Sequence, residues 1–219
     1  MIRTEMLREG HGLAAVTERL CERWQPGVRL LPMTEHEVET HITTDDGVMH
    51  FQEYWIRLRA TVPVRGLEFV GAEKATAGPG VVEAIMTADR VILPPSNPIV
   101  STGAILSVAE VAQAVRETPA PVVGVSPIIG GAAVRGMADQ LLTGLGLEIS
   151  ASGVARHFGA RSAGGLLDGW LLDTADAAEL PAVQDAGLVG QAAPLYMSDD
   201  VLTAQLARDT LALAAELVD

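Results

Sequence analysis

An α/β fold organised around a parallel sheet is what this 219-residue sequence predicts, and three observations carry the prediction. Strand-like apolar runs, loops and helical text follow one another in that order three times between residues 67 and 145, the pattern of strands joined by helical crossovers. Hydrophobic residues make up 48% of the chain and aromatics only 4%, so the core is built from Ala, Val, Leu and Ile. The length suits one large or two small domains and is ample for a sizeable core.

Taken in order, residues 13–24 place Leu13, Val16, Leu20 and Trp24 on one helical face and Glu18, Arg19, Glu22 and Arg23 on the other. Pro26-Gly27 stops that helix. Residues 38–44 and 47–51 read as a hairpin turning through Asp45-Asp46-Gly47. The block from His50 to Trp55 concentrates aromatic rings, which either pack the hairpin on the sheet or stack on a flat heterocycle. Residues 25–65 are therefore expected as a small hairpin subdomain within a single domain spanning 1–219. Leu67–Val70, a loop to Gly80 and a helix over 81–88 form the first copy of the repeated pattern. Arg90–Leu93 with a helix over 104–116 is the second, and Val122–Val125 with a helix over 135–145 is the third. A short helix over 151–158 and a strand over 170–173 follow. The last helix, over 199–217, is expected to be capped by Ser198 and buried along Leu202, Leu206, Leu213 and Leu217.

Charge narrows the function classes. Asp and Glu number 28 against 15 Lys and Arg, a net charge of −13 that argues against a nucleic-acid or anionic-membrane surface. Cys21 is the only cysteine, which excludes an internal disulfide and any Cys-cluster metal site. No apolar run approaches the roughly 18–20 residues of a membrane span, and Arg3, Glu5, Arg8 and Glu9 interrupt any signal-peptide pattern. A cytoplasmic protein acting on small molecules is expected. His11, His36, His41 and His157 are scattered without ligand spacing, so no metal residues are assigned. Neither a Gly-x-Ser-x-Gly elbow nor a Cys–His arrangement marks a covalent nucleophile, and no catalytic residue identifies itself.

Three loops at strand carboxyl ends are candidates for ligand binding, because α/β sheets place ligands there. Residues 71–80 carry Lys74 and several small residues ahead of a helix, which fits phosphate binding or an ordinary loop with a solvated lysine. Residues 93–103 hold Pro94, Pro95 and Pro98, a rigid frame presenting Ser96, Asn97, Ser101 and Thr102 before Gly103. An Asn amide matches a purine edge and the hydroxyls suit phosphate or ribose, while side chains bonding their own backbone would be the structural alternative. Residues 126–139 offer Gly130-Gly131 as an amide-lined anion site and Arg135 as an oxyanion clamp, or a plain Arg135–Asp139 pair on a helix.

The runs GAEKATAGPGVV (71–82), LPPSNPIVSTGAIL (93–106), VVGVSPIIGGAAVRGMAD (122–139), HFQEYW (50–55) and GLLDGWLLD (165–173) together resemble the 2-phospho-L-lactate transferases, including members called phosphoenolpyruvate transferases. The resemblance runs over essentially the whole chain. It implies a Rossmann-like three-layer sandwich with a mostly parallel sheet, a magnesium-dependent homodimer and a place in the biosynthesis of the deazaflavin coenzyme F-420. The implied reaction moves a phospholactyl or phosphoenolpyruvyl group from a guanosine diphosphate (GDP) conjugate to the deazaflavin alcohol Fo, releasing GMP. Ser96, Asn97, Ser101 and Gly103 match the family's PSNPxxS loop and are expected against the GDP part. Lys74, Gly130, Gly131 and Arg135 match positions beside the same cleft, and Trp55 would help wall the deazaflavin. The family's opening strand, GGxGG loop and acidic magnesium- and Fo-holding residues are not matched here. The resemblance and the abrupt start at Met1 therefore predict that amino-terminal strands are missing, through truncation, a mis-called start or a separately encoded partner segment. The competing reading is a non-catalytic nucleotide or nucleotide-sugar binding regulator of the same fold, as in the related gluconeogenesis-factor family.

Overall fold

The computed structural model describes residues 2–218; Met1, on which the reading of the chain's start rests, lies outside them. Helices α1 (Ile2–Arg8) and α2 (Leu13–Trp24) come first. The Glu35 carboxylate caps α2 from a distance, accepting from the amides of Leu13 and Ala14. Strands β1 (Glu39–Thr44), β2 (Gly47–His50) and β3 (Gly66–Val70) form an antiparallel sheet in the order β2-β1-β3. The predicted hairpin is present, with Thr44 opposite Gly47 across the Asp45-Asp46 turn.

β3 corrects the sequence reading. It pairs antiparallel with β1, with Ile42 opposite Leu67, rather than joining the parallel sheet. Its apolar run looked like the first of three equivalent strands, but pairing partners are long-range and no local pattern encodes them. Helix α3 (Val81–Met86) follows, then β4 (Val91–Leu93). The helix expected over 104–116 is broken. A π-helical turn over Pro98–Thr102 leads into α4 (Gly103–Leu106), and α5 (Ala109–Glu117) departs from that pair at 87°.

Strand β5 (Val122–Val125) is followed by a short hairpin of β6 (Ile128–Ile129) and β7 (Ala132–Ala133) within the stretch expected as a loop. α6 (Ala138–Gly144) begins three residues later than expected, because Gly136 at φ 85° keeps Arg135 outside it. α7 (Ala151–Phe158) matches the expected bounds, its amino end capped by Ser150. β8 (Gly169–Asp173), α8 (Leu180–Asp185), β9 (Val189–Ala193) and α9 (Asp200–Glu216) complete the chain. Asp199 caps α9 in place of the expected Ser198, accepting from Leu202 N–H at 2.8 Å. The buried stripe of α9 is Leu206, Thr210, Leu213 and Ala214; Leu202, expected inside, is exposed.

The parallel sheet has the order β4-β5-β8-β9, so each strand lies beside the next strand of that sheet in chain order. Right-handed crossovers that always advance in one direction leave their helices on one face. That face holds Val115 of α5, Leu141 and Leu142 of α6, Val154 and Phe158 of α7, and Val183 of α8. The same core takes in Ile42, Tyr54 and Val64, so the hairpin sheet and the parallel sheet share one apolar interior. The opposite face, formed by Val123, Val125, Leu171 and Ala193, is covered by α9 through Leu206, Leu213 and Ala214. Strand alternation makes this two-sided burial possible. It also explains Gly124, where a Cβ would lie 2.5 Å from the Trp170 ring.

At the amino ends of β5 and β8 the sheet is clasped by Arg161. Its Nε donates to Asp168 at 2.8 Å, Nη2 pairs with the other Asp168 oxygen, and Nη1 reaches the Thr118 carbonyl at 2.7 Å. Asp168 also accepts from the Val122 amide at 2.8 Å. Among the described residues no single helix is long and apolar enough to cross a membrane.

Candidate functional site

Where β4, β5 and β9 end, their following loops part to form a cleft of about 600 Å³. Pro95, Ser96 and Asn97 line it from the β4 end, Ser126 and Pro127 from the β5 end, and Leu195 to Ser198 from the β9 end. The β6–β7 hairpin and the residues after it close the remaining side through Ile129, Ala133, Val134 and Arg135. A carboxyl-end position is where parallel sheets place their ligands, since loops there can diverge without breaking the sheet.

The β4 loop is held by its own side chains. Asn97 Oδ1 accepts from the amides of Ile99 at 3.0 Å and Val100 at 3.1 Å, capping the π-helical turn. This corrects the expectation that the whole Asn97 amide meets a base edge: the acceptor is occupied, and the Nδ2 donors are what the side chain has left. Ser96 Oγ lies 2.8 Å from Thr102 Oγ1, bracing the same turn. Ser101 is exposed within the turn, and Gly103 opens α4 where a Cβ would meet the Pro98 carbonyl at 2.9 Å. Neither Ser101 nor Gly103 lines the cleft.

Gly130 and Gly131 are the two loop residues of the hairpin, at φ 62° and 76°, as a tight turn with both residues left-handed requires. The Gly130 amide, expected to receive an anion, already donates to both Asp176 oxygens at 2.9 and 3.0 Å. The hairpin's other end is held by Asp139, which accepts from Ala133 N–H at 2.9 Å. Among the described residues Asp139 makes no ion pair with Arg135. Arg135 is exposed and makes no ion pair among the described residues, and it is the one charged side chain lining the cleft. In a chain of net charge −13, a cleft without lining carboxylates and with one uncommitted guanidinium suits an anionic ligand.

The structure thus brings Ser96, Asn97 and Arg135 together and sets the other candidates apart. Lys74 lies on a 3-10 turn after β3, 85% exposed and 3.7 Å from Glu73. It sits away from the cleft because β3 belongs to the antiparallel sheet, so its loop is not at a carboxyl end of the parallel one. In the aromatic block Tyr54 is buried, its hydroxyl donating to the Val62 carbonyl at 3.1 Å, whereas Trp55 is exposed on a π-helical turn outside the cleft. Sequence reasoning missed the wall from Leu195 to Ser198, with Tyr196 and Met197 more than half exposed in the opening. The signal was Pro194-Leu-Tyr-Met-Ser ahead of a capped helix, but without β9 that stretch could not be seen as another strand end.

Magnesium, which the family resemblance implies, needs a set of oxygen ligands. The cleft lining offers no carboxylate, and among the described residues no group of three or more His, Cys, Asp or Glu side chains is placed to hold a metal. These residues do not fit the ion.

The family model described as 2-phospho-L-lactate transferase CofD matches residues 1–201. A phosphoenolpyruvate transferase of Streptomyces coelicolor is 52% identical over 221 residues, covering 99% of this chain and 68% of that relative. A phosphoenolpyruvate transferase of Mycolicibacterium smegmatis is 49% identical, covering 98% of this chain and 66% of its own length. The chain thus spans about two thirds of these relatives. Among solved structures, a UPF0052-family protein from Bacillus halodurans superposes with a TM-score of 0.70 at 13% identity, over 96% of this chain and 70% of that one. At that identity the likeness concerns the fold, and it agrees with the Rossmann-like arrangement of the parallel sheet and its helices. With the sequence match running through every loop of the cleft, the chain belongs to the 2-phospho-L-lactate transferase (CofD) family and is of a transferase lineage.

Proposed function

We propose that this transferase works in coenzyme F-420 biosynthesis, moving a phospholactyl or phosphoenolpyruvyl group from its GDP conjugate to Fo with release of GMP. In that reaction the terminal hydroxyl of Fo attacks the phosphorus that carries the lactyl or enolpyruvyl group. A new P–O bond forms, the diphosphate P–O bond breaks, the bridging oxygen leaves with GMP, and the hydroxyl proton passes to solvent. The single observation that carries the reading is the carboxyl-end cleft with Arg135 as its one lining charge. Arg135 would meet the diphosphate, the Asn97 Nδ2 donors and the Ser96 hydroxyl would orient it, and Tyr196 with Met197 would flank the base. Such residues act by position and charge neutralisation rather than by bonding covalently to the substrate. The acidic magnesium- and Fo-holding residues implied by the resemblance are not among those lining the cleft, so the cleft is read as the nucleotide half of the site.

Calorimetric titration of the 219-residue chain with GDP tests this. Saturable binding that weakens about tenfold on Arg135→Ala is expected from loss of a charge-assisted hydrogen bond. A folded chain that takes up no GDP would overturn the reading. The homodimer implied by the resemblance is checked in the same preparation by sedimentation, which separates a 23.0 kDa protomer from a pair.

A further inference from the structure

Two buried carboxylates stand behind the cleft without lining it. Asp173 ends β8, Asp176 lies three residues on in the 3-10 turn that follows, and each is 5% exposed. Neither has an ion-pair partner among the described residues. A buried carboxylate without a cation is costly unless hydrogen bonds satisfy it. Here backbone amides of two different walls do so. Asp176 accepts from Gly130 N–H with both oxygens at 2.9 and 3.0 Å, gripping the tip of the β6–β7 hairpin. Asp173 Oδ2 accepts from Leu195 N–H at 2.8 Å, gripping the opposite wall where it leaves β9. Its Oδ1 accepts from the Ala175 amide at 2.9 Å, which caps the turn and fixes the spacing between the two aspartates.

We infer that Asp173 and Asp176 are a pair of positioning residues that set the gap between the hairpin wall and the Leu195 wall, and so hold Arg135 at the distance a nucleoside diphosphate needs. The inference rests on the proposed reading of the cleft. The wiring is specific: each carboxylate holds one wall, and one short turn connects them. Loss of either grip should loosen its own wall and leave the other in place. Because Asp176 takes up the Gly130 amide, the hairpin tip is an anchor rather than a phosphate site, and the anion falls to Arg135.

The test uses the full chain with Asp176→Ala, Asp176→Asn and Asp173→Asn, followed by amide hydrogen exchange, GDP titration and thermal melting. Asp176→Ala is expected to speed exchange at least tenfold in 128–135 with 195–199 unchanged, and Asp173→Asn, whose one oxygen stays on the adjacent Ala175 amide and turns its NH2 toward the Leu195 amide, to do the reverse. Asp176→Asn retains one acceptor oxygen and should restore most of the hairpin's protection. Either single loss should raise the GDP dissociation constant about tenfold at unchanged stoichiometry. A merely structural role would instead lower the melting temperature and the binding-competent fraction while leaving the dissociation constant alone. That result, or exchange that rises equally in both walls or in neither, overturns the inference. Should the unmutated chain bind no GDP, the functional reading falls, while the wall-by-wall exchange pattern still decides whether the aspartates position the walls.

Discussion

At the amino ends of β5 and β8, Arg161 commits every guanidinium nitrogen to Asp168 and to the carbonyls of Thr118 and Ala120. At the carboxyl ends of the same sheet, Arg135 meets no carboxylate, and Asp173 and Asp176 are turned instead to the amides of Leu195 and Gly130. The two ends use the same chemical groups and wire them oppositely. Where arginine and aspartate satisfy each other, the result is a closed clasp that joins elements. Where aspartates are satisfied by backbone, a cation is left over for a ligand. The difference separates the end of the sheet that stabilises from the end proposed to bind.

The sharpest way to break this comparison is Arg161→Ala. It strands the half-buried Asp168 carboxylate and two carbonyls, an expected loss of about 3 kcal/mol, or roughly 10 °C in thermal melting for a chain of this size. GDP affinity of the folded fraction should be unchanged. Arg135→Ala is the mirror experiment: about a tenfold loss of GDP affinity in calorimetry, with the melting temperature held within about 1 °C because the side chain is exposed and unpaired. Asn97 joins the two behaviours in one residue. Asn97→Ala removes the cap on the π-helical turn at a cost of about 1 kcal/mol in denaturant unfolding. Asn97→Asp keeps the capping oxygen and replaces the Nδ2 donors with a negative charge, so stability should stay while GDP binding falls. The smallest effect is expected from Lys74→Ala. The lysine is 85% exposed away from the cleft, so a change below about 0.5 kcal/mol in stability and none in GDP affinity should follow. A marked loss of affinity there would bring the β3 loop back into the site.

Much of the parallel sheet was legible because its strands carry their signal locally. Val122–Val125 is a buried run between a proline loop and a glycine turn, and the observed bounds match it. α7 was legible over its observed bounds for the same reason, and the Ser150 cap that starts it is local too. β9 was not. Val189-Gly-Gln-Ala-Ala has weak strand propensity and is held in place by pairing with β8, from Gly169 opposite Val189 to Asp173 opposite Ala193. Missing β9 hid the Leu195–Ser198 wall, and with it one side of the cleft. The candidate site divides similarly. The Ser96-Asn97 loop and Arg135 were found from residue type and strand-end position, because both are properties of the chain near them. That Lys74 lies elsewhere follows from β3 pairing with β1, and that the Gly130 amide is taken follows from Asp176, forty-six residues away. Contacts of that range leave no trace in local sequence.

The one-sided crossovers set a schedule for biosynthesis. All four strands of the parallel sheet, and every helix on the crossover face, leave the ribosome before α9 does. Until α9 emerges, Val123, Val125 and Leu171 have no helix over them, and a nascent chain with one half of its core complete shows an apolar sheet face to the cell. α9 thus closes this face, and the interval before it arrives is when the sheet offers the most apolar surface to whatever binds nascent chains.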